Sequence, residues 1–504
     1  MMSSLEMSEA KVEAFMKRKN MGINAILNVV RQALSVLFPL ITYPYALRVL
    51  GAEGIGKVNY SSSIVRYFSL LAMLGVTNYA IREGAKLRDN KEKLSIFITE
   101  VFSINLVTTV LSYVLLGLTI LIIPNFKDYS LLMLLQSSSI ILTTLGIDYV
   151  NNIYEDFFLI TVRSIITHIV SLILLFLFVK TPNDYYKYAF LTVITTGIIC
   201  ITNLFYCRRY VNLSFKLSKN TLRHLKPMII LFANTLAIYV YVNVDTTMLG
   251  WIKGDTTVGL YTASVNVYSI LKNILSAIYV VAVPRLANCM GREDKEGYKK
   301  ISTEIFGYLI LLLIPICVGV ISLAPEIMMF MGGDEFLDSA LSLRILGIAL
   351  FFAIFGGFIT ACINITLGRE KDTLIATIIS ALINFLFNLV AIPYLSLYGA
   401  ALTTLLSEGF VLVFCFIRIP NRSEYFNQKK LKRCFLDSTI GIFSIIFVSV
   451  LFKKTISSYM GRIMVIVPAS ALCYFAILII LKDPYIKGLL TMLKSKFKKG
   501  DINS

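Results

Sequence analysis

Long apolar stretches recur along almost the whole chain and are separated by short polar joints. A helix needs about 20 mainly apolar residues to cross a bilayer, and stretches of that length follow one another from residue 21 to residue 481. We predict fourteen spanning helices from this pattern. They lie near 24–49, 58–82, 94–123, 128–150, 153–179, 184–206, 227–252, 257–283, 301–324, 338–367, 372–393, 397–417, 434–452 and 463–481. The pattern therefore predicts an all-α integral membrane protein.

Composition agrees with this fold class. Hydrophobic residues make up 57% of the 504 residues and charged residues 15%, and the mean hydropathy is +0.76. A water-soluble protein of this size could not bury so much apolar surface. Lipid must therefore act as the solvent for most of the chain.

The distribution of positive charge predicts the orientation. The formal net charge is +18, which in a soluble protein would suggest nucleic acid as a partner. Here 34 of the 48 lysines and arginines fall in alternate joints and at the two ends of the chain, and only eight fall in the joints on the other side. Because cytoplasmic joints are enriched in Lys and Arg, we predict that both termini are cytoplasmic and that no nucleic acid is bound.

The basic joints divide the chain into seven segments. These are a cytoplasmic lead-in at 1–20, a first lobe at 21–206, a basic linker at 207–226, a second lobe at 227–417, a basic loop at 418–433, two extra C-terminal spans at 434–481 and a basic cytoplasmic tail at 482–504. The lead-in has no small-residue cleavage site, so we interpret it as uncleaved. The tail is typical of a segment attracted to anionic headgroups, or of a stop signal.

The two lobes carry a weak sequence repeat. Gly56 and Gly259 each follow a Leu-Gly pair, and aligning them places Arg66 opposite Ser269, with Lys272 one helical turn further along the same face. Each lobe thus has a cation at similar depth on its second helix. With six helices in each lobe, we predict a parallel repeat with a pseudo-twofold axis along the membrane normal.

Six cations remain inside predicted spans, where each must face protein or water because exposure to hydrocarbon is costly. They are Arg31, Arg48, Arg66, Arg163, Lys272 and Arg344. Arg48 and Arg344 lie close enough to the outer interface to snorkel, which we prefer to ligand contact. We predict that the other four line a cavity that attracts phosphate. Burial among other protein groups is the alternative for each.

Acidic residues within spans are fewer. Asp148, Asp245 and Glu408 are candidates for pairing with these cations or for carrying a coupling proton or sodium ion. Solvation at a helix end is the alternative. Glu408 lies deepest in its span, so it is the first acid to test for coupling.

The sequence has no recognisable catalytic or ATP-binding motif. Gly51 to Lys57 have the spacing of a phosphate loop, but Val58 stands where a magnesium-binding Ser or Thr is required. Two histidines and eight cysteines are scattered without the spacing of metal ligands or disulfides, so we expect no cofactor or metal. The longest outward joint, 325–338, is too short for the acceptor domain of a membrane-embedded polymerase or ligase. We predict a transporter, not an enzyme.

Three segments resemble one known family. They are the run Tyr43 to Gly51 with Gly54 and Gly56 behind it, the stretch from Gly146-Ile147-Asp148-Tyr149 through Ile160-Thr161-Val162-Arg163 to Asp184-Tyr185, and Val258-Gly259-Leu260-Tyr261 with Pro284-Arg285-Leu286. The chain is similar in these segments to the Wzx-type polysaccharide flippases of the multidrug/oligosaccharidyl-lipid/polysaccharide exporter superfamily. It departs at Tyr149-Val150-Asn151-Asn152, where family members often have an aromatic-rich stretch with Gln and Gly.

The resemblance implies two six-helix lobes around a central cavity, with alternating access. It implies an undecaprenyl-pyrophosphate-linked oligosaccharide repeat unit as substrate, moved from the inner to the outer leaflet for a capsule or O-antigen-type polysaccharide. The location would be the bacterial inner membrane, with polymerase and glycosyltransferases as pathway neighbours, and H⁺, Na⁺ or the membrane potential could drive transport.

Three alternatives remain open. A cation-coupled drug exporter of the same superfamily would be expected to have more acidic residues in its cavity. A lipid II flippase would differ in the lipid-linked intermediate that it moves. A membrane-embedded polysaccharide polymerase or ligase is the alternative from a different class.

Overall fold

The structure is a computed structural model that describes residues 2–154, 157–216 and 219–488. Side chains are described from residue 38 onward, except at 157–159, 219–220 and 234. The side chains of the predicted lead-in and of Arg31, and the end of the predicted tail, lie outside the described residues. The chain divides into two compact units, Met1–Val240 and Tyr241–Ser504. The boundary lies within the first predicted helix of the second lobe.

The described elements are helical throughout these ranges. They are α1 Met2–Met73, α2 Val76–Gly84, α3 Lys91–Ile122, α4 Ser130–Gly146, α5 Tyr149–Ile153, α6 Phe157–Phe178, α7 Tyr185–Cys207, α8 Leu225–Lys253, α9 Asp255–Val280, α10 Val283–Gly291, α11 Lys295–Gly332, α12 Ser339–Phe358, α13 Glu370–Leu395, α14 Leu397–Ile417, α15 Arg422–Tyr425, α16 Gln428–Thr455 and α17 Tyr459–Ile480. A π-helical turn, Ile359–Asn364, extends α12.

Twelve of the described helical stretches are long and apolar enough to cross a membrane. The stretch Phe38–Leu87 counts once but covers the end of the first predicted span and all of the second. The fourth predicted span corresponds to the shorter apolar helix Ser130–Gly146. Each of the fourteen predicted spans therefore has a helix, and the prediction of an all-α, multi-pass membrane protein is confirmed.

The first unit is built around α1. This helix breaks at Gly51, whose φ of 69° and ψ of 179° are not helical, and packs against α3, α4, α6 and α7. Its end is satisfied by α3, because the carbonyl oxygen of Ala72 accepts hydrogen bonds from Asn105 (2.8 Å) and Thr108 (2.5 Å). Side chains thus replace the intrahelical partner that a helix end lacks, which matters most where water is scarce.

The beginning of α8 is bound to the first unit. A Cβ atom at Gly75 would lie 2.6 Å from the carbonyl oxygen of Met228, so glycine permits a close backbone approach. His224, just before α8, is hydrogen-bonded to the Tyr79 hydroxyl (2.7 Å) and to Glu100 (2.8 Å). Glu100 is 7% exposed, so this network stabilises a carboxylate that is almost removed from water.

In the second unit, α9, α12, α13 and α14 form one packed group, and α11 connects it to α16 and α17. Glu326 on α11 is 1% exposed and forms ion pairs with Lys453 (3.0 Å) and Arg462 (3.2 Å). Hydropathy predicts this acid in an outward joint at 325–338, but α11 continues through Pro325 to Gly332. Tyr474 donates to the Leu311 carbonyl at 3.1 Å, which makes a second attachment of the extra helices.

Two structural features recur in the two halves of the chain. The alignment of Gly56 with Gly259 places Gly51 opposite Gly254, and Gly254 has φ 83° and ψ −178°, nearly the conformation of Gly51. Gly250, the glycine of the second Leu-Gly pair, lies instead inside α8. A nine-residue helix follows later in each unit, α2 in the first and α10 in the second. The match of backbone conformation is stronger support for the repeat than the weak identity.

Candidate functional site

Polar side chains form stripes on three helices of the first unit. The stripes are Asn59, Ser62, Arg66 and Ser69 on α1, Gln136, Ser139 and Thr143 on α4, and Tyr188, Thr192 and Thr196 on α7. Residues three and four apart lie on the same face of a helix. These helices pack against each other, so the three stripes face a common space lined by hydroxyl and amide groups.

This space is a chain of three adjoining cavities, which we call the unit-1 cavity. The first, between the stripes, has about 260 Å³. The second, about 310 Å³, shares Arg66, Ser69 and Thr143 with the first. The third, about 190 Å³, shares Asp148 and Asn152 with the second. Arg66 is exposed to the cavity, and within the described part of the chain no carboxylate pairs with it.

Arg163 and Asp148 meet in the third cavity. The Arg163 Nη2 atom lies 3.0 Å from Asp148 Oδ1, and the arginine side chain is 9% exposed while the aspartate side chain is 50% exposed. Within the described residues, Nε and Nη1 of Arg163 are buried and have no hydrogen-bond partner. A buried donor without a partner is costly, so these two nitrogens are suited to an anion that enters the cavity.

Lys272 and Glu408 form an ion pair in the second unit. Lys272 Nζ lies 2.6 Å from Glu408 Oε1, with side chains 34% and 9% exposed. The Tyr268 hydroxyl donates to the same carboxylate oxygen at 3.1 Å. The pair joins α9 to α14, and Lys272 keeps one side accessible.

Asp245 lies in a separate network of neutral groups. Its carboxylate is 4% exposed and accepts hydrogen bonds from Tyr261 (2.8 Å), Thr404 (2.8 Å) and Asn388 (2.6 Å). Asn388 also donates to Asn384 at 3.1 Å. These residues come from α8, α9, α13 and α14. A carboxylate and a ring of neutral oxygen-bearing side chains are the donor set that Na⁺ or a proton can use.

The remaining predicted cations are not brought together with these. Arg48 and Arg344 are exposed on their units and do not line the unit-1 cavity. The backbone of Arg31 belongs to α1. The structure thus brings Arg66, Arg163 and Asp148 into one cavity and pairs Lys272 with Glu408, and the binding roles of these residues stay predictions.

Two protein-family models match this chain. The model described as polysaccharide biosynthesis protein matches residues 21–290, more than half of the chain. The chain belongs to the polysaccharide biosynthesis protein family. A second model, MatE, matches residues 227–390 of this family member and overlaps the end of the first match. The predicted Wzx-type resemblance is confirmed, and relatives of the chain are named as transporters and as a flippase.

Relatives of this family member include two proteins named for O-antigen transport. The one from Escherichia coli (strain K12) is 26% identical over 53% of this chain and 65% of its own length. The match therefore spans less than two thirds of that protein. The one from Shigella dysenteriae is 24% identical over 78% of this chain and 98% of its own length. A protein from Haloferax volcanii named as a flippase of low-salt glycan biosynthesis is 23% identical over 38% of this chain and 40% of its own length.

Solved structures show the same fold. The lipid II flippase MurJ in an inward closed conformation has a TM-score of 0.70 at 16% identity, covering 93% of this chain and 99% of that one. An inward-facing multidrug resistance transporter of the MATE family and MOP superfamily has a TM-score of 0.55 at 15% identity, covering 77% and 96%. At these identities the likeness concerns the fold of this polysaccharide biosynthesis family member.

Sequence reasoning missed the neutral part of the unit-1 cavity. It considered ionisable residues only, whereas most of the lining is hydroxyl and amide. The signal was present, because Gln136, Ser139 and Thr143 recur at helical spacing within an apolar span. It also missed the network of Asp245, which depends on Asn384, Asn388 and Thr404 from two other helices.

Proposed function

We propose that this protein is a flippase for lipid-linked oligosaccharides that carry a pyrophosphate, moved from the inner to the outer leaflet by alternating access. The undecaprenyl-pyrophosphate-linked repeat unit of a capsule or O-antigen-type polysaccharide is the substrate that the family suggests. The protein would act in the bacterial inner membrane, alongside the polymerase and glycosyltransferases of the pathway. Relatives named for O-antigen transport and glycan flipping support the substrate class.

The observation that carries the proposal is the chemistry of the unit-1 cavity. Hydroxyl and amide side chains on three helices offer the donors and acceptors that sugar hydroxyls require. Arg66 adds a cation that pairs with no carboxylate among the described residues, and Arg163 adds two buried nitrogens that have no hydrogen-bond partner among them. Guanidinium groups bind phosphate oxygens in bidentate fashion. A cavity with hydroxyl and amide walls and two arginines fits an oligosaccharide pyrophosphate better than an apolar drug cation.

Deletion of the gene tests the proposal. We expect a polyprenyl-pyrophosphate oligosaccharide to accumulate in the inner leaflet, as identified by mass spectrometry of extracted lipids. Accumulation of lipid II instead would support the lipid II alternative. Loss of dye efflux without any accumulating lipid would support a drug exporter and contradict the proposal.

Arg66→Ala tests the cavity within that assay. Removal of the guanidinium should lower complementation of the deletion at least tenfold, since a charge-assisted bond to phosphate contributes about 1.5–3 kcal/mol. Arg344→Ala is the matched control, because Arg344 is exposed and does not line the cavity, and we expect it to complement fully. Equal activity of both variants, at equal amounts in the membrane, would remove Arg66 from the site.

We also propose that a monovalent cation, H⁺ or Na⁺, couples to transport at Asp245. The side chains that donate to this buried carboxylate are neutral, so a bound cation would supply the positive charge that lowers its cost of burial. Asp148 and Glu408 already have cationic partners, and this makes Asp245 the better candidate for coupling. The membrane potential could then act on the bound cation.

Asp245→Asn tests the coupling. The amide keeps the shape and several hydrogen bonds but removes the charge, so we expect transport to lose its dependence on the Na⁺ or H⁺ gradient. Transport by reconstituted protein under imposed gradients of each ion is the measurement. An unchanged dependence on both gradients would rule out Asp245 as the coupling site.

A further inference from the structure

A groove on the second unit combines an aromatic channel with a cationic mouth. Two adjoining cavities of about 380 and 270 Å³ share Phe306, Ile310, Phe416 and Phe435. The smaller one is lined entirely by apolar side chains from α11, α12, α14 and α16. The larger one adds Arg422, Gln428 and Lys432. The groove therefore changes from apolar to basic along its length.

The floor of the groove is a cluster of phenylalanine rings. The ring of Phe306 on α11 lies 4.7 Å from Phe355, 5.2 Å from Phe358 and 5.5 Å from Phe426, measured between centroids. The walls are more open, because Phe416 is 39% exposed and Phe435 is 43% exposed. The cluster is fixed by ring packing, while the walls leave a surface that a flexible chain can cover.

The mouth of the groove is held in place by backbone contacts. Ser302 on α11 donates to the Tyr425 carbonyl, and the Asn427 amide donates to Thr303 at 2.9 Å. These bonds flank Phe426 on both sides and fix the segment that carries Arg422. The Asn427 side chain also caps α16 by accepting from the Lys430 amide at 3.1 Å. The entrance thus has a built structure before any ligand binds.

Arg422 is oriented at this mouth. Its guanidinium lies 4.3 Å from the centroid of the Phe416 ring, and Nη2 donates to the Ile417 carbonyl at 3.2 Å. That bond uses one of the five N–H donors of an arginine. Lys432 is exposed and lines the same cavity. Two cations thus lie at the polar end of an apolar channel.

We propose that this groove binds an anionic diacyl phospholipid of the leaflet on the side of the 418–433 loop. The phosphate lies between Arg422 and Lys432, and an acyl chain covers the phenylalanine floor. Charge complementarity selects the headgroup, because basic pockets between spanning helices bind anionic lipids. The apolar channel selects a lipid over free phosphate. The bound acyl chain fills the space between α14 and α16. It thereby joins the two extra helices to the rest of the second unit.

The test is lipid retention by the purified full-length protein, measured by native mass spectrometry. Phosphatidylglycerol and phosphatidylcholine with the same acyl chains are added in equal amounts. We expect preferential retention of phosphatidylglycerol, and at least a fivefold loss of retention in Arg422→Ala/Lys432→Ala. The matched control is Lys371→Ala/Lys429→Ala, two exposed lysines that do not line the groove, and it should retain the lipid.

Val413→Trp tests the channel separately. Val413 lines the smaller cavity and is 52% exposed, so a tryptophan there fills the channel from its rim with little risk to folding. Val467→Trp, at a 51% exposed position on α17 outside the groove, is its control. We expect loss of phosphatidylglycerol with Val413→Trp only. Equal retention of both phospholipids, or loss with the charge variant and not with Val413→Trp, would overturn the proposal, as would stronger retention of a polyprenyl phosphate.

Discussion

Arg66, Arg163 and Lys272 all lie within apolar helices, yet the structure gives them different surroundings. Arg163 and Lys272 have carboxylate partners at 3.0 and 2.6 Å, while Arg66 faces hydroxyl and amide groups. A paired cation costs less to bury, and its partner must be displaced or shared before an anion binds. A substrate anion would therefore have to compete with a carboxylate at Arg163 and at Lys272, but with no described carboxylate at Arg66.

Sequence could predict these positions and a set of candidate acids, but not which acid pairs with which cation. A charge in an apolar run is visible by itself, so all three cations were expected in a cavity. The pairing of Asp148 with Arg163 depends on Ile147, which takes the left-handed conformation at φ 41° and ends α4 just before Asp148. An Ile-Asp dipeptide does not predict that turn, because β-branched residues rarely adopt positive φ.

The Lys272 and Glu408 pair allows a structural role to be separated from substrate binding. Lys272→Ala should lower stability by about 3 kcal/mol, since it leaves a buried carboxylate unpaired. The double variant Lys272→Ala/Glu408→Gln should regain most of that stability, as judged by the melting temperature of the purified protein. If Lys272 binds substrate, the double variant stays defective in transport. Full transport by the double variant would make Lys272 a purely structural residue.

At the scale of whole helices, hydropathy predicted the presence of each helix better than the residues at which it begins and ends. Each of the fourteen spans has a helix, but α11 continues through Pro325, where the outward joint 325–338 is predicted to begin. A proline within a membrane helix is tolerated when neighbouring groups satisfy the freed carbonyl. The short helices α2 and α10 were missed, because nine residues are too few for a spanning pattern.

Gly254→Ala tests the break between α8 and α9. At φ 83° an L-residue is strained, and no atom lies near enough to a new Cβ to clash, so the expected loss of about 1–2 kcal/mol comes from backbone conformation alone. Gly319→Ala, inside α11 and with no atom within 4 Å of a new Cβ, is the control. It should gain up to about 1 kcal/mol from helix propensity. Thermal unfolding followed by circular dichroism distinguishes the two, and equal effects would contradict this explanation.

At the scale of the whole molecule, the charge map predicts which joints face the cytoplasm. Asp128 lies at the predicted outward end of the fourth span and Asn421 lies in a joint predicted to be inward, and both are exposed. In a variant with Cys289 and Cys473 replaced by serine, Asp128→Cys should react with a membrane-impermeant maleimide in intact cells. Asn421→Cys should react only after permeabilisation. The reverse pattern would invert the predicted topology of all segments.

The internal repeat belongs to this scale too, and sequence identity alone could only suggest it. Apolar helices tolerate many exchanges between Leu, Ile, Val and Phe, so a duplicated pair loses its resemblance quickly. Backbone geometry is retained longer, which explains why the breaks and the short helices match while most side chains do not. The division of the chain into lobes at 207–226 stays a prediction.

The backbone conformation at Gly51 and Gly254 determines which enantiomer of another residue could replace the glycine. Their backbone conformation is the mirror image of ordinary extended structure, which L-residues avoid and D-residues favour. D-alanine at either position should therefore leave the break intact, whereas L-alanine should not, and the melting temperatures of protein carrying each enantiomer would reveal the difference. The spanning helices of this chain are specified by their apolar surface. These two joints are specified instead by the chirality that their backbone conformation accepts.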